Sequence, residues 1–300
     1  MIDELLQKKE KFKYNFAFID EGAKKEIRRK LLKAIAIPGH QVPFASRELP
    51  IARGWGTGGL QVTMAVIGPE DVLKIIDQGC DGSVNAVNLR KLMVKTTGVK
   101  TTFSTQEATI IQTRHRIPEV PLKEGQVLVF QVPLPEPLRL VEPSEAEARR
   151  MHAESDYGLM WVTLYEDIAN WGSISIGAGY PCKVNGHYIM SPSPIPRWDN
   201  YKLNQAECLY LFGAGREKRI YAIPPYTRVE PLQFDDKPFS VEKFEGSFCS
   251  RCGAENSYLD EIYDEETGSK YHVCSDTGFC DSRLASGGMV HSQQADSVLE

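Results

Sequence analysis

The sequence predicts a mixed α/β fold: a layered core sheet with helices, an inserted helix–hairpin segment and a small four-cysteine metal module. Three observations carry this expectation. Apolar positions between residues 21 and 36 recur at helical spacing, whereas Gln126 to Pro133 has the length and composition of a buried strand. Four of the seven cysteines crowd into the stretch from Phe248 to Cys280.

Residues 4–11 and 20–36 read as helices. In the second, Ile27, Leu31, Ala34 and Ile35 share one face, and Pro38-Gly39 ends it, because proline cannot continue a helix and glycine permits the turn. Next comes Gly54-Trp55-Gly56-Thr57-Gly58-Gly59, four glycines in six residues. Such a backbone approaches a ligand closely, and its N–H groups can cradle a phosphate, which makes Gly56 and Gly58 candidates. No strand precedes these glycines, so neither a Walker loop nor a dinucleotide fingerprint is present. Leu60 to Ile67 is expected to be a strand, and Pro69 to Asp77 a short helix with Glu70 and Asp71 at its positive end. Val84 to Thr97 reads as another helix, burying Leu89, Leu92 and Met93.

A polar strand follows, from Ala108 to Pro118, ending in Arg114-His115-Arg116. Alternation sends His115 to the face opposite the two arginines, and the trio suits holding a phosphate ester or moving a proton. After the buried strand, Pro133, Pro135, Pro137 and Pro143 form an extended connector and an internal boundary. Ser144 to Ala169 is helical, with Ser144-Glu145-Ala146-Glu147 as its start signature. Asn185-Gly186 marks a hairpin. Bracketed by proline-rich stretches (133–143 and 192–196), this segment reads as an insertion that docks a partner. Leu209 to Phe212 is a strand entering Gly213-Ala214-Gly215-Arg216, an anion clamp in which Arg216 is the candidate. The expected organisation is therefore 1–143 as the first part of the core, 144–196 as the insertion, 197–246 as the return to the core, 247–282 as the cysteine module and 283–300 as a disordered tail.

Composition bounds the function. Hydrophobic residues at 42% and charged residues at 25% suit a globular core. A net charge of -5 and the lack of a long apolar run argue against nucleic acid or a membrane as the main partner. The charged first ten residues lack a signal-peptide core, and clustered, odd-numbered cysteines suit a reducing cytoplasm. Cys80, Cys182 and Cys208 read as small buried residues.

The chemistry lies in the cysteine stretch. Cys249 and Cys252 form a C-x-x-C turn that brings two thiolates to one metal or cluster, and Cys274 and Cys280 complete four ligands. A zinc staple in a structural subunit that docks other proteins satisfies this spacing. The second pair is C-x5-C, which places Cys280 on a longer, looser loop, Ser275 to Phe279, in position for chemistry as well as ligation.

Five segments together carry a resemblance: Ala36-Ile37-Pro38-Gly39-His40-Gln41-Val42-Pro43-Phe44, Gly54-Trp55-Gly56-Thr57-Gly58-Gly59, Ile111-Gln112-Thr113-Arg114-His115-Arg116-Ile117-Pro118-Glu119, Leu211-Phe212-Gly213-Ala214-Gly215-Arg216-Glu217-Lys218-Arg219-Ile220-Tyr221 and the cysteine module. From about Tyr14 to Cys280 the chain resembles the catalytic-subunit family of bacterial carbon–phosphorus lyase (the PhnJ family). That resemblance implies an S-adenosylmethionine-dependent radical enzyme with a [4Fe–4S] cluster. Its reaction converts α-D-ribose 1-methylphosphonate 5-phosphate to methane and α-D-ribose 1,2-cyclic phosphate 5-phosphate. It further implies Cys249, Cys252 and Cys274 as cluster ligands, Cys280 as the thiyl-radical cysteine, Gly39 as a glycyl-radical site and His115 at a substrate pocket shared with a neighbouring subunit. Arg114, Arg116, Gly56, Gly58 and Arg216 are the substrate candidates beside these. The implied partners are the other core-complex subunits and ABC-type ATPase subunits. In aerobically prepared protein, zinc is expected as a substitute held by all four cysteines. The radical C-x3-C-x-x-C motif is absent. One-electron chemistry suits the substrate, because an unactivated methyl on phosphorus offers acid–base or nucleophilic catalysis little to work with.

Overall fold

The computed structural model describes residues 20–40, 42–44, 58–77, 81–114, 117–131, 142–144, 146–147, 150–151, 158–171, 182–188, 200–214, 219–231, 234–237, 246–255 and 257–287. The expected helix at 4–11, the proline connector from 133 to 141, the stretch 192–196, Cys80 and the tail beyond 287 lie outside them. In chain order the first elements are α1 (Glu21–Ala36), β1 (Val42–Pro43), α2 (Gly58–Val66), β2 (Val72–Ile75), α3 (Val84–Thr97), β3 (Lys100–Thr101), β4 (Ile110–Thr113) and β5 (Val127–Gln131). Then come α4 (Gly158–Trp171), β6 (Cys182–Val184), β7 (His187–Tyr188), α5 (Asn200–Leu203), β8 (Leu209–Ala214), β9 (Arg219–Ile223), β10 (Val229–Pro231), β11 (Leu259–Tyr263), β12 (Lys270–Cys274) and α6 (Thr277–Ala285).

Helix α1 starts where Asp20 accepts the Ala23 N–H at 2.7 Å, and it buries Ile27, Leu31 and Ala34 along one stripe. Helix α3 is capped by Ser83 and closed by Gly98, which is left-handed at φ 72° and donates to the Val94 carbonyl. Both agree with the sequence reading.

Seven strands form the main sheet in the order β1-β9-β8-β5-β4-β2-β3. The run β3, β2, β4, β5, β8 is parallel, and β9 and β1 close one edge antiparallel. Parallel strands are covered on both faces, and here alternation divides them cleanly. Leu73, Ile75, Ile110, Val129 and Leu211 pack with α1, α2 and α3. Ile111, Leu128, Phe130, Tyr210 and Phe212 pack on the other face with Leu203 of α5 and with Cys182, Val184 and Val229 of a second sheet, β10-β6-β7. The Asn185-Gly186 turn forms as expected, both residues at positive φ (48° and 82°), so β6 pairs with β7 on one side and with β10 on the other. No described helix is long and apolar enough to cross a membrane.

Two expectations are corrected. Leu60 to Val66 belongs to helix α2, and Val72 to Ile75 is strand β2. Leu60-Gln61-Val62-Thr63-Met64 alternates like a strand, but every residue of α2 from Gly58 to Ala65 is buried, polar Gln61 and Thr63 included, so no solvated face marks the helix. The Pro69-Glu70-Asp71 start signature serves a turn instead: Asp71 accepts the Gly68 N–H at 2.7 Å and its N–H returns to the Gly68 carbonyl.

The N-terminal turn of α2 runs against the ends of β5 and β8. A methyl group on Gly213 would lie 2.5 Å from the Gly58 carbonyl carbon and 2.6 Å from the Gly59 nitrogen. Gly213→Ala should therefore cost about 1–3 kcal/mol through forced backbone displacement, read as a lower urea midpoint. An unchanged midpoint would show that this approach is not tight.

Candidate metal centre

Three pieces of backbone hold the cysteines. Cys249 and Cys252 sit on a turn closed by Gly253, left-handed at φ 67°, whose N–H reaches the Cys249 carbonyl at 2.8 Å. Cys274 ends β12. Cys280 is in the first turn of α6, whose N-cap Asp276 accepts the Phe279 N–H at 3.0 Å. The looser loop expected around Cys280 is thus a capped helix start, and α6 continues through Ala285, beyond the Ser282 limit expected for the module. All four thiols are buried, with their sulfurs within 4.8 Å of one another.

Burial alone would keep these thiols protonated. It pushes Cys280 up to about 12, neighbouring thiols adding to the effect, and it raises Cys274 as well, against the Ser257 hydroxyl 3.3 Å from its sulfur. At Cys249 burial acts in the same direction but loses to backbone donors: the N–H groups of Cys252 (3.5 Å) and Cys274 (3.3 Å) bring it down to about 7. The pocket accepts one thiolate readily and needs a cation to accept the rest. Two sulfur pairs are 3.7 Å (Cys249–Cys280) and 3.5 Å (Cys252–Cys274) apart. A zinc–sulfur bond of about 2.3 Å sets a tetrahedral sulfur–sulfur edge of about 3.8 Å. In this arrangement the quartet has the dimensions of a single tetrahedral ion. A four-iron cube binds each cysteine at a different corner and needs the sulfurs further apart.

The module is bolted to the sheet by two buried carboxylates. Asp276 Oδ2 accepts the Glu119 N–H at 2.7 Å, and Glu119 Oε1 accepts the Tyr258 N–H at 2.9 Å. Glu119 Oε2 pairs with Lys202 at 3.0 Å, and that ammonium also donates to the carbonyls of Ile117 (3.3 Å) and Pro118 (3.1 Å). Tyr201 and Tyr258 stack beside it, ring centroids 5.4 Å apart. Glu119 lies in the chain leaving β4, so the cysteines sit by the carboxyl edge of the parallel strands, where open α/β sheets bind their ligands. Asp81, beyond β2 on the same edge, pairs with Lys74 at 2.9 Å and lies across from Gly278 of α6. Burial holds its carboxyl above the usual range, with Lys74 opposing.

The profile of the phosphonate metabolism protein PhnJ family matches residues 12–286. The chain is 60% identical over 274 residues to alpha-D-ribose 1-methylphosphonate 5-phosphate C-P-lyase of Rhizobium meliloti (strain 1021), covering 91% of this chain and 92% of that one. It is 58% identical over 267 residues to the Escherichia coli (strain K12) protein of corresponding name, covering 89% and 95%. The chain belongs to the PhnJ family.

For a PhnJ family member, the placement of the remaining candidates is informative. Arg114 is held in a two-pronged pair by Asp77 (3.0 and 3.2 Å), and Asn85 donates to the same carboxylate at 3.0 Å. Gly58 opens α2. Gly39 is buried and left-handed at φ 80°, its N–H directed at the Ala222 carbonyl of β9. From β9 to β4 is three strand spacings, roughly 14 Å, and no contact among the described residues joins Gly39 to the cysteines. Gly56, His115, Arg116 and Arg216 lie outside the described residues. Reading the sequence missed Glu119, Lys202, Asp81 and Gln131. It also missed Asp276, although an Asp three residues before an apolar position is a recognisable cap signal.

Two outcomes follow. With Cys274 and Cys280 protonated when metal-free, zinc binding displaces at least two protons, so apparent affinity should rise about 100-fold per pH unit near neutrality, measured by competition with a chromophoric chelator at pH 7 and 8. A flat profile would mean the thiols are already ionised. Glu119→Ala leaves Lys202 as a buried, unpaired charge, and stability should fall by about 3–5 kcal/mol, seen in chemical denaturation. A loss below about 1 kcal/mol, the value of an exposed pair, would show the clamp to be dispensable.

Proposed function

We propose that this chain is the subunit that breaks the carbon–phosphorus bond of α-D-ribose 1-methylphosphonate 5-phosphate, giving methane and α-D-ribose 1,2-cyclic phosphate 5-phosphate in phosphonate catabolism. The observation that carries the reading is the buried cysteine quartet at the carboxyl edge of the sheet, in a chain 60% identical to a relative named for that lyase activity. Cys249, Cys252 and Cys274 are the assigned ligands of a [4Fe–4S] cluster; their thiolate chemistry and burial suit it, and the sulfurs must spread to admit it. Such a cluster, when bound, supplies the electron that cleaves S-adenosylmethionine.

The protein's own residues have distinct tasks in this reading. Cys280, in the first turn of α6, is the catalytic thiol. As a thiyl radical its sulfur would bond to phosphorus while the P–C bond breaks, and the expelled methyl radical would take a hydrogen atom from Gly39 to leave as methane. The ribose 2-hydroxyl would then displace the Cys280 thiolate and close the cyclic phosphate. Arg114, Arg116, His115, Gly56, Gly58 and Arg216 are the assigned phosphate-handling residues; of these, Arg114 at the end of β4 has its guanidinium held by Asp77. Gly39, with no side chain to oppose planarity at its α-carbon, is the assigned radical store. The other core subunits and ABC-type ATPase subunits are the proposed partners, in the cytoplasm.

The sulfur spacing favours a second reading, a zinc-stapled structural subunit. Anaerobic loading with iron and sulfide discriminates: the lyase reading expects a broad visible absorbance bleached by dithionite, and methane release by the assembled complex. Cys280→Ala should retain the bleachable absorbance and lose methane at least about 1000-fold, as expected for removal of a nucleophile. A protein that takes up only zinc, or a Cys280→Ala variant that still releases methane, overturns the assignment.

A further inference from the structure

Gln131 is the last residue of β5, and it is fully buried. Its side-chain oxygen accepts the Leu60 N–H at 3.2 Å, so the carboxamide lies over the first turn of α2. The other half of that carboxamide, Nε2, is buried with no hydrogen-bond partner. An unused buried donor is costly, and native proteins seldom keep one without a reason. It lies where the N–H groups of Gly58 and Gly59 have no acceptor within the helix and the helix dipole is positive. The backbones beside it pack closely. A methyl on Gly59 would come 2.5 Å from Gln131 Oε1, and one on Gly213 would strike Gly58.

We propose that the Gln131 amide and the N-terminal turn of α2 form an oxyanion subsite that holds the phosphate ester of a phosphorylated sugar. The assignment rests on the phosphorylated-ribose reading above and adds to it a neutral donor that no sequence motif marked. The donors are all N–H groups, and the described residues that form this corner, Gly58, Gly59, Gly213 and Gln131, carry no charge. A helix N-terminus supplemented by an uncharged amide binds a phosphate through directed hydrogen bonds. The edge is also the one that carries Arg114 and the chain leading to Glu119.

A purely structural role is the competing account: Gln131 caps α2 and nothing more. Gln131→Glu separates the two. The carboxylate still accepts the Leu60 N–H and suits the helix dipole, so the fold and thermal midpoint should be preserved. The donor, however, becomes a negatively charged oxygen facing the phosphate. The full-length chain is titrated with ribose 5-phosphate, ribose and inorganic phosphate by calorimetry. We expect ribose 5-phosphate to bind the parent at least about tenfold more tightly than ribose, as a charge-assisted hydrogen-bond set should. Gln131→Glu should remove that preference, and Gln131→Met, which lacks donor and acceptor alike, should weaken it. Equal affinity for ribose 5-phosphate in the parent and a folded Gln131→Glu variant overturns the subsite, as does a parent with no phosphate-dependent binding. Methane release is scored separately: loss of the phosphate preference in a protein that never releases methane upholds the subsite and removes the lyase reading.

Discussion

The arrangement of this protein depends on two carboxylates removed from water between the main sheet and the cysteine module. Glu119 receives the Tyr258 amide and the Lys202 ammonium, while Asp276 receives the Glu119 amide and caps α6 with its other oxygen. Each charge would be costly to bury alone, and each is satisfied by groups from a distant part of the chain. Consequently the helix start that carries Cys280 and the segment that leaves β4 cannot move independently. A small two-stranded hairpin is marginal on its own; here it gains position from the docking and internal order from whatever its thiols bind.

The sheet explains why that position matters. Five neighbouring parallel strands end on one edge, and the side chains beyond their ends need not complete a core. Arg114 leaves β4 there and is captured by Asp77 beyond β2; Gln131 ends β5 there with its amide unspent. Helix α2 starts on the same edge, admitted because Gly59 and Gly213 have no side chains to collide. Donors, an oriented guanidinium and a sulfur quartet thus gather along one side of a single rigid body. Stability comes from the stacked rings of Phe130, Phe212 and Tyr221 below.

Much of this was legible in the chain itself, and the failures have physical causes. Helices α1 and α3 could be read because one face is solvated, so periodicity and caps both register. The β6–β7 hairpin could be read because Asn185-Gly186 adopts the positive φ values that few other pairs tolerate. Helix α2 could not: Leu60-Gln61-Val62-Thr63-Met64 alternates apolar and polar residues with the period of a strand, and the helix buries the polar members as well. Strand β2 is short, and the proline and acids before it resemble a helix start. The four cysteines were evident as a set. Their geometry was not, because the placement of Cys280 in α6 depends on Asp276 being held by Glu119, which lies 157 residues earlier. Long-range partners of this kind leave no spacing rule to read, and the same holds for the Gln131 carboxamide, whose partner Leu60 is 71 residues away.

The cysteines differ most in how backbone donors support their sulfurs. Cys249 is stabilised as a thiolate by two backbone N–H groups, one from its own turn and one from β12, so it gives up its proton more readily than Cys274 or Cys280. Cys252 and Cys274 share that turn and that strand. Cys280 has no such donor; its burial favours the protonated thiol, and it reaches the others only through the first turn of α6. Displacing Cys249 breaks two N–H···S bonds, whereas moving Cys252, Cys274 or Cys280 breaks none among the described residues. The backbone hydrogen bonding thus sets Cys249 apart from the other three sulfurs, whichever metal the four hold when they are drawn together.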